Sequence, residues 1–170
     1  MAIPDIVQKD RIDHSVSNNI RFRGFEYVKR INSNIKKNFD LPKRSTSHSA
    51  GYDFVCPNYA YIAPGETIKI RTGVKAYMCS DEYLALHIRS SLGIKYNLAL
   101  SNCTGIIDSD YYNNPDNDGE IIVAITNMGT KSYEIEPGER FVQGIFSKYL
   151  IADDDTADGS RNGGIGSTDK

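Results

Sequence analysis

The chain has 170 residues, which suits one domain with a substantial core and is too short for two well-packed domains. Its 20 Lys and Arg residues nearly balance its 22 Asp and Glu residues, so no basic surface for coating nucleic acid is expected. No apolar run approaches the roughly 18 residues of a membrane span, and the N-terminus lacks the apolar centre of a signal peptide. The three cysteines form an odd set without metal-ligand spacing. These features predict a cytoplasmic protein that binds neither membranes nor nucleic acid directly.

Residues 1–19 are polar and aperiodic, and we expect them to form an extension outside the fold. From residue 20 to residue 151, short runs of β-branched and aromatic residues recur between turn signals, and no run sustains a helical period. The spacing of these runs is typical of an all-β sandwich or jelly roll. The predicted strands are Ile20–Val28, Tyr59–Ile62, Thr67–Arg71, Tyr83–Ile88, Glu120–Thr126, Ser132–Ile135 and Arg140–Phe146.

Two turns share one sequence, Pro64-Gly65-Glu66 and Pro137-Gly138-Glu139. Proline presets the first turn position, and glycine supplies a positive φ at the next. The repetition predicts two antiparallel hairpins. Beyond the last strand, residues 152–170 contain too few apolar side chains to join a core, so they are predicted to form a mobile tail.

Five segments carry polar residues that strand packing does not require. In the first, Ser49–Phe54, Asp53 stands among small and aromatic residues at a strand entrance, where a capping role in a turn is the simpler interpretation. The second, Arg89–Lys95, combines a guanidinium, two hydroxyls and a glycine. This combination suits a phosphate cradle, although a plain turn fits equally well.

The third segment, Asn102–Tyr111, is predicted to run as a strand, a turn and then two acids. Asp108 follows two isoleucines and stands three residues before Tyr111, so we expect it on an ordered edge. Carboxylates spaced like Asp108 and Asp110 suit a turn, a Ca²⁺ site or a catalytic base with its helper. The local sequence does not choose among them.

The fourth segment, Arg140–Phe146, alternates so that Phe141, Gln143 and Ile145 are predicted to share one face. A buried and unpaired amide costs roughly 1–3 kcal/mol, which makes Gln143 a candidate site residue. The fifth segment, Arg161–Thr168, is cationic and rich in glycine. Its backbone N–H groups suit phosphate oxygens, with a flexible linker as the alternative.

Together and in this order, the five segments resemble the five motifs of the trimeric dUTPase family, over about residues 20–170. The run from Gly105 to Tyr111, GIIDSDY, is the most specific part. The resemblance implies a dUTPase-like jelly roll, a distorted β-barrel, assembled as a homotrimer with shared active sites. It also implies hydrolysis of dUTP to dUMP and pyrophosphate, which limits uracil incorporation into DNA and supplies dUMP for dTMP synthesis.

The resemblance assigns the nucleoside pocket to the third segment. It implies that Asp108 orients and deprotonates the water that attacks the α-phosphorus, and an aspartate is ionised at neutral pH as such a base must be. Tyr111 would stack beneath the deoxyribose and exclude a 2′-hydroxyl. The hairpin would read uracil through Asn102, Gly105 and Ile107, and it would be too tight for the 5-methyl group of thymine.

The resemblance also implies where phosphates and metal bind. Ser90, with Ser91 and Arg89, would contact the bridge between the α- and β-phosphates. Asp53 and Gln143 would each hold, through water, a Mg²⁺ cofactor carried by the triphosphate. The tail would close over the site from another subunit and meet the β- and γ-phosphates. Its contributing residues would be Arg161, Gly166, Ser167 and Thr168.

The sequence departs from the family pattern at three places. Ile165 stands where the family commonly has a Phe that stacks on uracil, so a ring contact is lost. Residues 112–119 lengthen the third motif, as in a bacterial and phage-like subset of the family. Asp169 follows Thr168 where glycine is frequent, which puts an acid near a phosphate site.

Two other functions fit a related scaffold. A dCTP deaminase shares the fold and an RSSL-type second motif, but Ala124 stands where that family carries its catalytic glutamate. A non-enzymatic nucleotide-binding or regulatory protein would not need a general base at Asp108. The sequence therefore favours dUTP hydrolysis.

Overall fold

The computed structural model of the chain describes residues 20–31, 39–159 and Gly163. Within these residues, antiparallel strands dominate. They are β1 (Gly24–Tyr27), β2 (Lys43–Arg44), β3 (Tyr52–Val55), β4 (Ala60–Ile62), β5 (Thr67–Arg71), β6 (Val74–Tyr77), β7 (Glu82–Ile88), β8 (Leu98–Leu100), β9 (Gly105–Asp108), β10 (Ile122–Asn127), β11 (Tyr133–Ile135) and β12 (Arg140–Lys148). The described helices are α1 (Ser90–Tyr96) and a 3-10 turn (Ser109–Tyr111).

The strands form four sheets around one core. The largest has the order β2-β3-β12-β7-β9, a second has the order β5-β10-β8, and β1-β6 and β11-β4 are two-stranded. On β10 the alternation of a half-buried strand is regular, since Val123, Ile125 and Asn127 are buried and their neighbours are not. The fold is a distorted all-β jelly roll, which confirms the predicted class. The largest buried apolar side chains are Phe54, Phe141, Ile62, Leu84, Leu98, Ile121, Ile125 and Ile135.

Both Pro-Gly-Glu turns have the predicted backbone, with φ of 76° at Gly65 and 85° at Gly138. In each, the glutamate carboxylate accepts a backbone hydrogen bond from three residues earlier, at 2.8 Å for Glu66 and 3.1 Å for Glu139. The hairpin prediction is nevertheless wrong. The first turn joins β4 to β5 and the second joins β11 to β12, yet β4 pairs with β11, β5 with β10, and β12 with β3 and β7. Each turn therefore carries the chain from one sheet to another.

A helix stands where the sequence predicted a loop. α1 begins directly after Arg89 and ends at Asn97, whose φ of 53° closes it in the left-handed region. Among its seven residues only Leu92 is buried. A helix this short has no apolar stripe, so periodicity could not reveal it.

A β-bulge corrects the predicted face of β12. The pairing with β3 shifts register between Arg140 and Val142, and both Phe141 and Val142 lie in the core. Phe141 therefore does not share a face with Gln143, because the extra residue of a bulge breaks the simple alternation.

The ends of the chain carry fewer described residues. The predicted strand from Ile20 begins only at Gly24. Residues 151–159 are exposed and form neither helix nor strand. The predicted extension, residues 1–19, lies outside the described residues. No helix in the described part has the length and apolar character needed to cross a bilayer.

Candidate active site

A cavity of about 410 Å³ opens beside β9 and β10. Its walls are mostly aliphatic, and Asp108 is the one acid among its described lining residues. Five residues that the sequence singled out from the third segment meet here: Asn102, Gly105, Ile107, Asp108 and Tyr111. The other lining residues are Lys69, Leu86, Leu100, Ser101, Ile106, Ile122, Val123 and Ala124.

The third segment folds as a tight reversal from β8 into β9. Cys103 adopts a φ of 62°, and its N–H donates to the Leu100 carbonyl at 2.9 Å. β9 then pairs with β7 at the edge of the largest sheet, with Asp108 opposite Tyr83. Asp108 is the last residue of this strand and precedes the 3-10 turn. It is half-buried on an ordered edge, as predicted.

Tyr111 is buried at the end of the 3-10 turn. Its ring lines the cavity, and its hydroxyl donates to the Glu120 carbonyl at 3.3 Å. The same hydroxyl accepts a hydrogen bond from the Asn117 amide at 2.6 Å. The ring is therefore fixed at its far end as well as at its backbone.

A second group of predicted residues surrounds Asp53. Its carboxylate pairs with Arg89 (Nε to Oδ1, 3.2 Å) and Arg140 (Nη1 to Oδ2, 3.1 Å), and it accepts from the Ser45 hydroxyl at 2.7 Å. Gln143 is its cross-strand partner on β12. The first, second and fourth segments thus meet at one end of the β3 and β12 pair, away from the residues that line the cavity.

The Gln143 amide packs closely against the first segment. A Cβ on Gly51 would lie only 2.3 Å from Gln143 Oε1, so glycine at position 51 leaves the space that the amide occupies. His87 faces Gln143 on the other side, from β7. Ser90 and Ser91 open α1 beside this group, exposed and half-buried respectively.

The two groups are far apart within one chain. Asp53 and Asp108 stand on strands that are three positions apart in the largest sheet, about 14 Å at roughly 4.8 Å per strand. On β7, His87 lies opposite Gln143 and Tyr83 lies opposite Asp108. Because these two residues are four positions apart, the groups are also offset by about 13 Å along the strands. At these ideal strand spacings the two steps combine to about 20 Å between Asp53 and Asp108.

Neither group forms a complete metal cage. In the described part of the chain, the one close group of three potential ligand side chains is Cys79, Asp81 and Glu82. These acids are already engaged, since Asp81 pairs with Lys148 at 2.5 Å and Glu82 with Arg23 at 2.5 Å. The Asp53 carboxylate is likewise engaged, by Arg89 and Arg140. It and the Gln143 amide oxygen therefore suit contact with a magnesium ion only through the ion's waters, of which Mg²⁺ usually keeps several.

Glu120 is a buried acid that the sequence placed in a strand without a role. It accepts hydrogen bonds from Arg30, from Arg71 at 2.5 Å and from the Gly73 N–H at 2.9 Å. Burial alone raises the pKa of the Glu120 carboxyl, but the two arginines and the Gly73 N–H outweigh it, so the net pKa lies below the ordinary value. This acid fixes the chain just after residues 112–119, next to Tyr111.

Several site residues had no signal in the sequence. Lys69 reaches the cavity because β5 pairs with β10 and sets it opposite Ala124. Ser45 and Arg140 meet Asp53 through pairing and bulge geometry. Asn117 had only one pointer, its place in residues 112–119, which the resemblance marks as a departure from the family pattern.

The fifth segment is described at one residue. Gly163 is buried, and its carbonyl accepts a hydrogen bond from the Asn114 amide at 2.7 Å. The start of this segment therefore touches residues 112–119 of its own chain. Its predicted site residues lie outside the described part: Arg161, Ile165, Gly166, Ser167 and Thr168.

Comparison with known proteins identifies the family. The family model described as dUTPase matches residues 37–168. The deoxyuridine 5′-triphosphate nucleotidohydrolase of Lactococcus lactis is 45% identical over 151 residues, covering 88% of this chain and 99% of that protein. The Escherichia coli K12 protein of the same name is 35% identical over 147 residues, covering 82% and 93%.

Solved structures agree with the sequence relatives. The crystal structure of a dUTPase from Streptococcus mutans superposes with a TM-score of 0.68 at 43% identity, covering 76% of this chain and 98% of that one. The dUTPase of Staphylococcus aureus phage φ11 shares the fold, with a TM-score of 0.64 at 17% identity over 82% and 97% of the two chains. On its sequence, its fold and the residues gathered at its cavity, the chain belongs to the dUTPase family.

Proposed function

We propose that the chain hydrolyses dUTP to dUMP and pyrophosphate. The observation that carries this proposal is the position of Asp108, the one acid among the described residues that line an otherwise mostly aliphatic cavity. The Lactococcus lactis relative is named deoxyuridine 5′-triphosphate nucleotidohydrolase, and the match covers 99% of its length. The cavity volume of about 410 Å³ lies in the range of small-ligand sites.

In the proposed mechanism, the cavity holds the nucleoside and Asp108 acts on the attacking water. The carboxylate takes one proton from the water, the water oxygen bonds to the α-phosphorus, and the bond from that phosphorus to the β-bridging oxygen breaks. Pyrophosphate leaves with the bond's electron pair. Because Asp108 ends a paired strand, it is held in place before substrate arrives.

The cavity walls account for the proposed base and sugar selectivity. Uracil would lie against the backbone of Asn102, Gly105 and Ile107, and the reversal into β9 would exclude a 5-methyl group, as the resemblance to the family implies. A Cβ on Gly105 would come within 3.1 Å of Leu86, so glycine keeps this wall thin. Tyr111 lies under the deoxyribose and meets a 2′-hydroxyl with its ring.

The proposed phosphate and metal contacts come from the second group and the tail. Arg89, with Ser90 and Ser91, would contact the α/β bridge, and Asp53 and Gln143 would hold a magnesium ion on the triphosphate through its waters. When bound, the ion neutralises charge on the leaving pyrophosphate. Binding of the β- and γ-phosphates falls to the tail, through Arg161, Gly166 and Ser167, with Ile165 covering the base.

We infer that the working unit is a homotrimer with shared sites. The separation of about 20 Å between Asp53 and Asp108 in one chain supports this inference, because the metal-bound triphosphate must reach both groups. A neighbouring chain that brings its Arg89 beside this chain's cavity completes the site. The division into an extension (1–19), a β domain (20–151) and a closing tail (152–170) follows from the same proposal.

The two alternative functions are less well supported. A dCTP deaminase needs a glutamate near Ala124, and Asp108 is the one acid among the described residues that line the cavity with Ala124. A non-enzymatic nucleotide-binding or regulatory role leaves Asp108 without a purpose. We also propose that the protein is cytoplasmic, where dUTP arises, and that residues 112–119 place it in the bacterial and phage-like subset.

Turnover of individual nucleotides tests the proposed activity. The purified chain is incubated with Mg²⁺ and each of dUTP, dCTP, dTTP and UTP, and pyrophosphate and ammonia are measured. We expect dUTP to be hydrolysed faster than the others by orders of magnitude, with no ammonia from dCTP. Formation of dUTP from dCTP would overturn the proposal. The Asp108→Asn variant, purified in the same way, controls for contaminating hydrolases.

A further inference from the structure

Residues 112–119 form an ordered loop that folds back onto Tyr111. The Asn114 N–H donates to the Tyr111 carbonyl at 3.2 Å, and the Asp118 N–H donates to the Asn114 carbonyl at 2.7 Å. At the far end, the Glu120 N–H donates to the Asn117 carbonyl at 3.2 Å. Residues 112–119 thus form successive turns that fold back against Tyr111.

The loop is also tied to the strands around it. Lys75 on β6 donates to Asn113 at 2.5 Å and pairs with Asp118 at 2.9 Å. The Tyr112 hydroxyl donates to Glu26 on β1 at 2.6 Å. These contacts join the loop to β1 and β6 and so restrict the movement of the residues that touch the Tyr111 ring.

Asn117 makes the contact that reaches the tyrosine side chain. Its amide nitrogen lies 2.6 Å from the Tyr111 hydroxyl, and its amide oxygen accepts from the Gly119 N–H at 3.0 Å. The hydroxyl donates in turn to the Glu120 carbonyl at 3.3 Å. A phenolic hydroxyl has one proton to donate and accepts on its oxygen, so both functions are used and the ring has one preferred position.

Close backbone packing keeps Asn117 in register with the ring. Gly119 adopts a φ of 74°, and a Cβ there would lie 2.5 Å from the Tyr111 carbonyl oxygen. The next residue, Glu120, is anchored by Arg30, Arg71 and the Gly73 N–H. The amide of Asn117 therefore approaches the hydroxyl from a backbone that cannot easily move away.

We propose that Asn117 is a positioning residue for sugar selection, holding the Tyr111 ring so that it rejects a 2′-hydroxyl. The proposal rests on the proposed function of the cavity and adds to it a purpose for residues 112–119. A ring excludes one additional oxygen only if it cannot yield by a fraction of an ångström, and that stiffness comes from the residues behind it. Loss of the support lets the ring shift and admits ribose.

Steady-state kinetics with dUTP and UTP tests the role of Asn117. For Asn117→Ala, we expect the ratio of kcat/KM for UTP to that for dUTP to rise about three- to tenfold, the range that one lost hydrogen bond allows. Tyr111→Phe removes this bond together with the donation to the Glu120 carbonyl, so it should raise the ratio at least as much. Adding Asn117→Ala to Tyr111→Phe should change the ratio no further, since the hydroxyl that Asn117 holds is already gone.

Asn113→Ala is the matched control, because it loosens the same loop at Lys75 without touching the Tyr111 hydroxyl. Its nucleotide ratio should stay at the wild-type value even if its thermal unfolding temperature falls. An unchanged ratio in Tyr111→Phe and in folded Asn117→Ala would refute the role of Asn117 while leaving dUTP hydrolysis intact. If Asn117→Ala fails to fold, Asn117→Ser decides, because a serine hydroxyl can still accept from the Gly119 N–H in the turn while no amide reaches Tyr111. A wild-type chain without dUTP turnover would instead overturn the proposed function, and this inference with it.

Discussion

The cavity and the group around Asp53 are built in contrasting ways. The cavity draws its key residues from one short stretch, Asn102 to Tyr111, closed by a single reversal into β9. The group around Asp53 gathers three segments that are distant in sequence. It lies on β3, between β2 and β12, and the Asp53 side chain is only 12% exposed beside Arg89 and Arg140. In our proposal, recognition of the nucleoside is therefore a local property of the chain. Handling of the phosphates depends on strand pairing and, in our proposal, on a second chain.

The largest expected effect separates chemistry from binding in the cavity. Asp108→Asn keeps the shape of the side chain and removes the base, so kcat should fall by roughly 10² to 10⁴, about 3–5 kcal/mol in the barrier. Binding of a non-hydrolysable dUTP analogue, measured by calorimetry, should change little. A variant that keeps its rate would show that another group activates the water.

Mixed assemblies test whether the two regions of one site come from different chains. Arg89→Ala should also be nearly inactive. When Arg89→Ala and Asp108→Asn are refolded together in equal amounts, about a quarter of wild-type activity should return. In random mixed trimers, about half of the sites have an intact Asp108 and, independently, about half have an intact Arg89. Size-exclusion chromatography and differential tags confirm mixing. Mixed trimers that stay inactive would place both regions of each site on one chain.

The same mixture with a chain ended before Ser160 tests the tail. The truncated chain alone should be nearly inactive. The resemblance to the family implies a tail that crosses to another subunit, so about a quarter of the activity should return beside Asp108→Asn. No recovery would mean that the contact between Gly163 and Asn114 in one chain is the one made during turnover.

The free energy of unfolding should depend more on the buried carboxylate of Glu120 than on an exposed ion pair. Glu120→Gln leaves Arg30, Arg71 and the Gly73 N–H without their carboxylate, and should lower the free energy of unfolding by about 2–3 kcal/mol. Asp40→Asn, which loses an exposed pair with Lys43, is the control and should cost less than about 1 kcal/mol. Urea unfolding measures both, and equal losses would contradict the expected difference.

The pKa of Glu120 adds a pH dependence to this prediction. The pKa of the carboxyl is lower in the folded chain than its reference value of 4.5. Its contribution to stability is therefore present above about pH 4.5 and is lost as the pH falls through the folded pKa. In that acidic range the free energy of unfolding of wild type should approach that of Glu120→Gln. An advantage that persists in acid would mean that packing, not charge, explains the difference.

The smallest expected effect concerns the lid over the base. Ile165→Phe should tighten binding of a dUTP analogue by about 0.5–1.5 kcal/mol, because a ring gains a stacking contact that an aliphatic side chain lacks. Ile165→Leu, similar in size and without a ring, should bind as wild type does. A neutral or harmful effect of Phe would mean that another aromatic residue already covers the uracil.

The contrast between the regions also explains what the sequence could predict. Gly105 to Tyr111 were identified together because they are consecutive in sequence, along β9 and the 3-10 turn that follows it. Arg140 was missed as a partner of Asp53 because the register of β3 on β12 and the bulge beside Val142 decide that contact. The helix α1 could not be predicted because its seven residues bury only one side chain, which is too few to show a helical period. The hairpin prediction failed since local turn chemistry does not say which sheet the next strand joins.

The distance of about 20 Å between Asp53 and Asp108 has a genetic consequence. If every site borrows from two chains, gene dosage does not act in simple proportion. Equal expression of sound chains and chains lacking only Asp108 would leave about half of the sites active. A chain lacking both Asp108 and Arg89 would leave only about a quarter. The doubly defective allele would therefore be the more dominant of the two, although each mutant chain alone is equally silent.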